Sequence, residues 1–209
     1  MRIIAGQRRG HKINGPKRDL TRPTSDFVRE SVFNILRDAV EGRVVVDLFA
    51  GTGALGLEAL SRGAIRALFI ERDRENAALI RTNLATLRYE DRGSVVVADV
   101  FRWIKSYAPL DSEPVVVFID PPYAEYQQKP ERMRQLLETL VGKLPRESIL
   151  LVEAGRIFGA ENLPKADAWD VRRYGGTHLA LGTVGEGGLG EETPTANDND
   201  NDGGDDAEP

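Results

Sequence analysis

The chain has 209 residues, enough for one domain with a substantial core, and it contains no cysteine. The lack of cysteine excludes disulfides, thiolate metal sites, iron–sulfur clusters and any reaction that needs a cysteine nucleophile. The formal net charge is −5, but nine acidic and no basic residues follow position 182, so the rest of the chain carries about +4. No apolar run approaches the roughly 18 residues of a membrane span, and the amino terminus shows no signal sequence, so we expect a cytoplasmic protein without membrane contact.

The amino-terminal segment is strongly basic. Its first 22 residues hold one acid, Asp19, and seven basic residues, which are Arg2, Arg8, Arg9, Lys12, Lys17, Arg18 and Arg22. This local excess of positive charge would attract phosphate groups, although a solvated basic face remains the alternative. Two short runs around Gly6, Arg2–Ala5 and Arg9–Ile13, predict a small basic hairpin.

A helix is predicted after this segment, lying on the domain and capped by Thr24, Ser25 or Asp26. Its apolar positions recur at helical spacing, at Val28, Val32, Ile35, Leu36 and Ala39.

Short Val/Ile/Leu-rich runs then alternate with longer amphipathic stretches, which is typical of a parallel sheet covered by helices on both faces. The predicted strands are Arg43–Phe49, Arg66–Glu71, Ser94–Ala98, Val115–Asp120 and Ser148–Glu153. The predicted helices are Leu55–Arg62, Arg74–Leu87, Phe101–Tyr107 and Glu131–Leu144. The sequence therefore predicts an α/β fold.

The carboxyl-terminal region departs from this alternation of strands and helices. Two strand-like runs, Asp170–Tyr174 and Thr177–Leu181, flank the pair Gly175-Gly176, which favours a tight hairpin and a terminal antiparallel strand. From about Thr183 onward almost no apolar residues remain, so we expect a disordered acidic tail over 183–209. The rest, 1–182, is expected to be one catalytic domain that includes residues 1–24 as a basic extension.

A glycine loop follows the first predicted core strand. Residues 51–56 read Gly-Thr-Gly-Ala-Leu-Gly, and in this pattern Gly51 and Gly53 let the backbone approach a nucleotide-type cofactor while Gly56 allows tight helix packing. Glu71 ends the second strand 20 residues after Gly51, where a carboxylate can accept hydrogen bonds from both ribose hydroxyls. A dinucleotide cofactor fits these features equally well.

Acidic residues favour S-adenosylmethionine over a dinucleotide. Asp47 precedes Gly51 by four residues, and its negative charge would repel a pyrophosphate. S-adenosylmethionine instead presents an ammonium group, a sulfonium and ribose hydroxyls, which Asp47 and Glu71 complement. Asp99 follows the third strand and can accept from the adenine amino group while an apolar neighbour, Val100, covers the ring; a simple helix cap is the alternative for Asp99.

The tetrapeptide Asp120-Pro121-Pro122-Tyr123 ends the fourth strand and holds the predicted catalytic residues. An exocyclic base amine is a poor nucleophile because its lone pair is delocalised into the ring. We expect Asp120 and a backbone carbonyl such as that of Pro121 to grip its two N–H groups and aim the lone pair at the methyl group. Pro121 and Pro122 fix the backbone, and Tyr123 offers a ring for base stacking. Alternatively, the prolines merely end a strand and Tyr123 packs in the core.

Two other functions are also compatible with these residues. A DNA or RNA adenine-N6 or cytosine-N4 amino-methyltransferase would use the same loop and the same tetrapeptide, although the lack of an obvious target-recognition domain favours RNA. An NAD-dependent oxidoreductase would use the glycine loop alone. We expect no metal, because the only histidines, His11 and His178, have no partner at metal-ligand spacing.

Taken together, these residues resemble the RsmD family of small-subunit ribosomal RNA (guanine-N2) methyltransferases over about residues 1–182. The amino-terminal blocks point most specifically to this family, and they are Met1–Gly6, Thr21–Asp26 and Val28–Asn34. The loop Asp47–Gly56, the segment Asp120–Tyr123 and the closing Arg173–Gly175 complete the match.

The resemblance implies a Rossmann-like, seven-stranded methyltransferase fold that uses S-adenosylmethionine to methylate N2 of one guanine in small-subunit (16S) ribosomal RNA. It also implies recognition of an assembling small ribosomal subunit. We expect a monomer that contacts RNA through Arg8, Arg9, Lys12 and Arg22. The chain departs from the family pattern in its last strand, where Ala180-Leu181-Gly182 stands in place of larger or aromatic residues.

Overall fold

The computed structural model describes residues 1–15, 26–109, 112–155, 163–165, 168–185 and 189. The helices are α1 (Asp26–Leu36), α2 (Ala54–Ser61), α3 (Arg74–Leu87), α4 (Val100–Ser106), α5 (Tyr123–Gln128) and α6 (Pro130–Lys143). The strands are β1 (Val44–Leu48), β2 (Arg66–Glu71), β3 (Gly93–Val97), β4 (Val115–Ile119), β5 (Ile149–Gly155), β6 (Trp169–Tyr174) and β7 (Thr177–Thr183). None of the helices in these ranges is both long and apolar enough to cross a membrane.

The seven strands form one sheet in the order β3-β2-β1-β4-β5-β7-β6. The first five pair in parallel, whereas β7 runs antiparallel to both β5 and β6. The predicted mostly parallel sheet with a terminal antiparallel strand is therefore confirmed. The strand order reverses between β1 and β4, and the carboxyl ends of two such strands form the crevice where open α/β sheets bind ligands.

Helices cover both faces of the sheet, which explains why the central strands are continuously apolar. All five residues of β4, Val-Val-Val-Phe-Ile, are buried. Phe118 joins a core cluster with α1, α2 and α3 on one face, and Val117 joins a cluster with α4 and α6 on the other. Because successive strand side chains alternate between the faces, a residue's position along its strand decides which helices it meets.

The helix predictions need two corrections. The first helix, α1, begins at Asp26 and ends at Leu36, and Arg37 then takes a left-handed φ of 48° that stops it, so Ala39 lies in a turn. The other predicted caps, at positions 24 and 25, lie outside the described residues. The second correction is α5, which no pattern predicted because a helix of six residues is too short to show an apolar period.

The amino-terminal arm, residues 1–15, folds back on itself as a short hairpin. An isolated antiparallel bridge joins Arg2 to Lys12, and the N–H of Ile3 donates to the carbonyl of His11 at 3.0 Å. The arm is anchored by burial, since Ile3 is 1% and Ile13 is 5% exposed. The predicted hairpin is therefore confirmed, and burial of its apolar residues holds it on the domain.

The arm docks on α2 through a buried carboxylate and a glycine. The N–H groups of Ile4 and Ala5 donate to the two oxygens of Glu58, at 2.8 and 2.9 Å. Gly6 has a φ of 80°, and a Cβ there would lie 1.9 Å from the carbonyl oxygen of Ser61. Only glycine fits this contact between the arm and α2.

The predicted carboxyl-terminal hairpin is confirmed, with β6 and β7 joined at Gly175-Gly176. The small residues of β7 have a packing reason, because a Cβ on Gly182 would lie 2.6 Å from Leu189 and 2.9 Å from Trp169. The start of the tail was predicted too early: Thr183 belongs to β7, and Val184 and Leu189 are buried. Residues 190–209, the rest of the predicted tail, lie outside the described residues.

Candidate active site

The loop between β1 and α2 has a backbone conformation that favours glycine. Gly51 and Gly53 have φ values of 54° and 78°, in the left-handed region, and Phe49 before them has 60°. Among the described residues, a Cβ on Gly51 would meet only the Phe49 carbonyl oxygen, 3.9 Å away, so this glycine leaves an open side for a ligand. A Cβ on Gly53 would instead lie 3.1 Å from Ile80, so Gly53 is also required by packing against α3.

Asp47 supports this loop from within the protein. Its side chain is buried, and its Oδ2 accepts a hydrogen bond of 2.9 Å from the N–H of Gly56, at the start of α2. Burial raises the pKa of Asp47 well above its usual value; the Gly56 hydrogen bond opposes the rise, and the nearby carboxylates of Asp120 and Glu71 add to it. A Cβ on Gly56 would lie 2.3 Å from the ring of Phe69, which confirms the predicted tight packing of helix on sheet.

Glu71, at the end of β2, ties the glycine loop to the neighbouring strand. Its Oε2 accepts from the N–H of Gly51 and its Oε1 from the N–H of Asp73, each at 2.7 Å. Burial raises the pKa of Glu71, while these two hydrogen bonds oppose the rise. Each carboxylate oxygen keeps a second lone pair, so ribose hydroxyls could still donate to it. The ribose contact itself stays a prediction.

Asp99 is the N-cap of α4, the alternative that the sequence left open. Its Oδ1 accepts from the N–H of Arg102 at 3.1 Å and lies 3.4 Å from a guanidinium nitrogen of Arg132. The side chain is still 31% exposed, so capping leaves part of the carboxylate accessible. Val100 is 3% exposed and packs in the core with Ile70, so it can offer only a small edge to a ligand. Adenine binding by this pair stays a prediction.

Asp120 lies beside the glycine loop. Leu48 of β1 is in register with Ile119 of β4, so the chain leaves both strands at the same edge of the sheet, at Phe49 and Asp120. Asp120 is half-buried, and it is close enough to Asp47 to raise the pKa of that residue electrostatically. The structure therefore brings the predicted cofactor loop and the predicted catalytic segment together.

The two prolines turn β4 into α5. Pro121 is buried, and Pro122 is the N-cap of α5, with its carbonyl accepting from the N–H of Glu125 at 2.9 Å. Tyr123 is the first residue of α5, but its side chain is outside what the structure describes, so base stacking on it stays a prediction. The tetrapeptide therefore links the end of β4 to the start of α5.

Sequence reasoning missed two buried groups near Asp120, Glu153 and Tyr126. Glu153 lies on β5, is 6% exposed, and its Oε2 has no hydrogen-bond partner among the described residues. Burial, followed by the charge of Asp120, raises the pKa of Glu153 to about 8. The hydroxyl of Tyr126 donates to the backbone carbonyl of Glu153 at 3.2 Å. An acid near the carboxyl end of a buried strand, as at Glu71, was the signal that could have flagged Glu153.

The predicted RNA-binding residues have different surroundings. The guanidinium of Arg8 lies 5.5 Å from the ring centre of Tyr89, and its Nε donates to the carbonyl of Leu87 at 2.9 Å, so this side chain anchors the arm. Arg9 and Lys12 are exposed. The fourth residue, at position 22, lies outside the described residues. Of the four, Arg9 and Lys12 are therefore the ones that present their charges to solvent.

Comparison with known proteins identifies the family. The family model described as Conserved hypothetical protein 95 matches residues 1–183. Ribosomal RNA small subunit methyltransferase D of Escherichia coli (strain K12) is 36% identical over 179 residues, which are 83% of this chain and 83% of that protein. The protein of the same name from Haemophilus influenzae is 37% identical over 127 residues, 59% of this chain and 64% of its own length.

Solved structures share the fold. The yhhF protein of Escherichia coli superposes with a TM-score of 0.73 at 32% identity, over 88% of this chain and 97% of that one. An RNA methyltransferase from Salinibacter ruber in complex with S-adenosyl-L-homocysteine has a TM-score of 0.59 at 20% identity, over 83% of this chain and 97% of that one, which shows the fold alone. Because the curated relatives are methyltransferases, the oxidoreductase alternative is excluded. The chain therefore belongs to the Conserved hypothetical protein 95 family, which matches nearly all of its described fold, and it is an S-adenosylmethionine-dependent methyltransferase.

Proposed function

We propose that this enzyme transfers the methyl group of S-adenosylmethionine to the exocyclic N2 amine of a guanine in small-subunit (16S) ribosomal RNA. The observation that carries the proposal is the position of Asp120 beside the glycine loop and Asp47, at the edge of the sheet where the strand order reverses. The names of the relatives, small subunit methyltransferase D, support the RNA class.

The residues around the loop fit this cofactor. Asp47, Glu71 and Asp99 place acidic groups at the ends of three neighbouring strands, which suits a ligand with an ammonium group, ribose hydroxyls and an adenine amine. Gly51 has an open side toward which such a ligand can lie. We assign Glu71 to the ribose and Asp99 with Val100 to the adenine, while Asp47 and Gly53 hold the loop in shape. When bound, the cofactor supplies a methyl group on a positively charged sulfur.

Asp120 and Pro121 hold the acceptor amine. The Pro122 carbonyl already accepts from Glu125, so we assign the second N–H of the amine to the Pro121 carbonyl and the first to the Asp120 carboxylate. Held this way, the nitrogen can turn a lone pair toward the methyl carbon. As the nitrogen takes the methyl group, Asp120 accepts the proton that the nitrogen loses. Tyr123 would stack on the base, which has to leave its own stack to reach this depth.

The basic arm supplies the electrostatic attraction to RNA. Arg9 and Lys12 are exposed on the arm, whereas Arg8 contributes by keeping the arm on the domain. Arg22 lies outside the described residues, and its contact with RNA stays a prediction. We propose that the enzyme acts as a cytoplasmic monomer on an assembling small ribosomal subunit, with one catalytic domain followed by the acidic tail.

Labelled S-adenosylmethionine and immature small ribosomal subunits test this proposal. After incubation, the RNA is digested and the labelled nucleoside is identified by mass spectrometry. We expect N2-methylguanosine at one position, and no transfer to duplex DNA. Label in N6-methyladenosine or N4-methylcytosine would show an amino-methyltransferase of another base, and label in DNA would reject the RNA substrate.

A further inference from the structure

Glu153 lies beside Asp120 on the neighbouring strand. Ile119 of β4 is in register with Val152 of β5, so the next residues on the two strands, Asp120 and Glu153, are at the same height. Two positions earlier on each strand, Phe118 and Leu151 both belong to the core cluster on the α1 face. Because strand side chains alternate, Glu153 is on that same face, and Asp120, the first residue after β4, is close enough to raise the pKa of Glu153 electrostatically. Neighbouring strands are about 4.8 Å apart, so the two carboxyl groups share one site.

Glu153 is buried with one of its two carboxyl oxygens unpaired among the described residues. It is 6% exposed, and its Oε2 has no hydrogen-bond partner among the described residues, a state that costs stability unless a ligand or function compensates. The polar groups around it are the carboxylate of Asp120 on β4 and the hydroxyl of Tyr126 on α5, while its register partner on β7 is the apolar Leu179. No cation among these neighbours neutralises it.

The surroundings of Glu153 keep its carboxyl group protonated near neutral pH. Burial, followed by the charge of Asp120, raises its pKa to about 8. A protonated carboxyl group has one O–H donor and one carbonyl acceptor, side by side. It therefore presents a donor and an acceptor next to the acceptor-only Asp120.

We propose that Glu153 reads the Watson–Crick edge of the target base, with its carbonyl oxygen accepting from guanine N1–H and its hydroxyl donating to guanine O6. This inference rests on the proposed function, in which Asp120 holds the N2 amine of the same guanine. Along its Watson–Crick edge, guanine then meets the Asp120 carboxylate at the N2 amine, the Glu153 carbonyl oxygen at N1–H and the Glu153 hydroxyl at O6.

The hydroxyl and carbonyl of protonated Glu153 fit adenine and cytosine, the other bases with an exocyclic amine, less well. Beside its amine, guanine presents a donor and then an acceptor, which a carboxylic acid matches at both positions. Adenine presents the acceptor N1 and then a C–H group, and cytosine presents two acceptors, N3 and O2. Either base would leave one group of the buried Glu153 unpaired, and an unpaired buried group is what gives a polar site its selectivity.

Two substitutions of Glu153 test this role, with transfer to small ribosomal subunits as the assay. Glu153→Gln keeps a carbonyl acceptor beside an N–H donor, so its kcat/KM should stay within about tenfold of wild type, whereas Glu153→Leu should lose about 100-fold or more. Wild-type activity should fall above pH about 8 as Glu153 ionises, and Glu153→Gln should lack this decline. The control is Glu113→Gln, an exposed residue before β4 at the opposite edge of the sheet. Binding of S-adenosylhomocysteine verifies that each variant is folded.

A base analogue separates base reading from a structural role. Once the methylated position is mapped, guanine there is replaced by 2-aminopurine, which keeps the 2-amino group but lacks N1–H and O6. We expect this change to lower wild-type kcat/KM about 100-fold and to have little further effect in Glu153→Leu. Three results would overturn the role of Glu153 but leave the proposed function standing. They are equal losses with 2-aminopurine in wild type and Glu153→Leu, wild-type activity of Glu153→Leu, and the same alkaline decline in Glu153→Gln. Failure of the wild-type enzyme to methylate any guanine would overturn the proposed function and this inference with it.

Discussion

The carboxylate of Glu71 accepts a hydrogen bond of 2.7 Å from the N–H of Gly51, and this bond joins the end of β2 to the glycine loop. The other oxygen of the same carboxylate accepts from the N–H of Asp73, the N-cap of α3. One buried side chain therefore fixes the loop and the start of the next helix together. In the proposed function Glu71 also binds the ribose, so its loss would remove a cofactor contact and also loosen the glycine loop.

Glu71→Gln should weaken cofactor binding. The amide nitrogen cannot accept from a backbone N–H, so the hydrogen bond from either Gly51 or Asp73 is lost, and the Kd for S-adenosylhomocysteine should rise about tenfold or more. Isothermal titration calorimetry measures this change. The matched control is Glu75→Gln, an exposed position in the first turn of α3, which should bind like wild type. An unchanged Kd for Glu71→Gln would remove this residue from the cofactor site.

Gly56→Ala should destabilise the fold. The added Cβ would lie 2.3 Å from the Phe69 ring, so either α2 or the ring must move, at a cost of about 1–3 kcal/mol in the free energy of unfolding. The control is Gly142→Ala on α6, where a Cβ meets nothing within 4 Å and the variant should gain about 0.5–1 kcal/mol. Urea unfolding measures both. Equal stability of the two variants would contradict the packing role of Gly56.

Substitution of the exposed Arg9 should affect RNA binding, whereas substitution of the anchored Arg8 should affect stability. Replacing Arg9 and Lys12 together by glutamine should weaken RNA binding and reduce the slope of log K against log salt by up to about two. Arg8→Gln should instead lower the free energy of unfolding by about 1–2 kcal/mol, because it loses the Tyr89 ring and the Leu87 carbonyl. Fluorescence anisotropy with a ribosomal RNA fragment over a salt series, and urea unfolding, measure the two effects. An unchanged salt slope would place Arg9 and Lys12 away from the RNA.

Glu153 should make the protein less stable as the pH rises. Its pKa is about 8 in the folded protein against 4.5 as its ordinary value, so between these limits the folded state holds a proton that the unfolded state has released. The stability that this proton confers is complete below about pH 4.5 and is lost as the pH rises through about 8. Glu153→Gln removes this dependence, so from about pH 5 to about pH 9 the variant should gain on wild type by an amount on the order of a few kcal/mol. Parallel pH profiles of the unfolding free energy would show that Glu153 is not held protonated.

The sequence predicted the parts of the fold that depend on local patterns. The β4 run Val115–Ile119 is apolar throughout because helices cover both of its sides, so its position was clear. The rule that ligand-binding residues follow parallel strands placed Asp47, Glu71 and Asp120 at one edge, and the structure agrees. In each case the relevant information lies within a few residues of the chain.

Features that depend on distant residues could not be predicted. The closeness of Glu153 to Asp120 requires the register of β4 and β5, which no local pattern reveals. In the sequence, Arg8 cannot be distinguished from the other basic residues of the arm, because its contact with the ring of Tyr89 joins distant parts of the chain. Asp99 fits a helix cap and a ligand contact equally well in sequence, and its cap role became evident only from its hydrogen bond to Arg102.

Asp120 offers the most direct test of the account, which requires that the cofactor and the target amine meet above β1 and β4. Asp120→Asn keeps the size of the side chain but removes the charge that holds the amine and accepts its proton. Single-turnover methyl transfer to small ribosomal subunits should fall about 10²–10⁴-fold, while the Kd for S-adenosylhomocysteine stays within about threefold of wild type. Transfer at the wild-type rate, or loss of cofactor binding in parallel with the rate, would contradict the assignment of Asp120 to the acceptor amine.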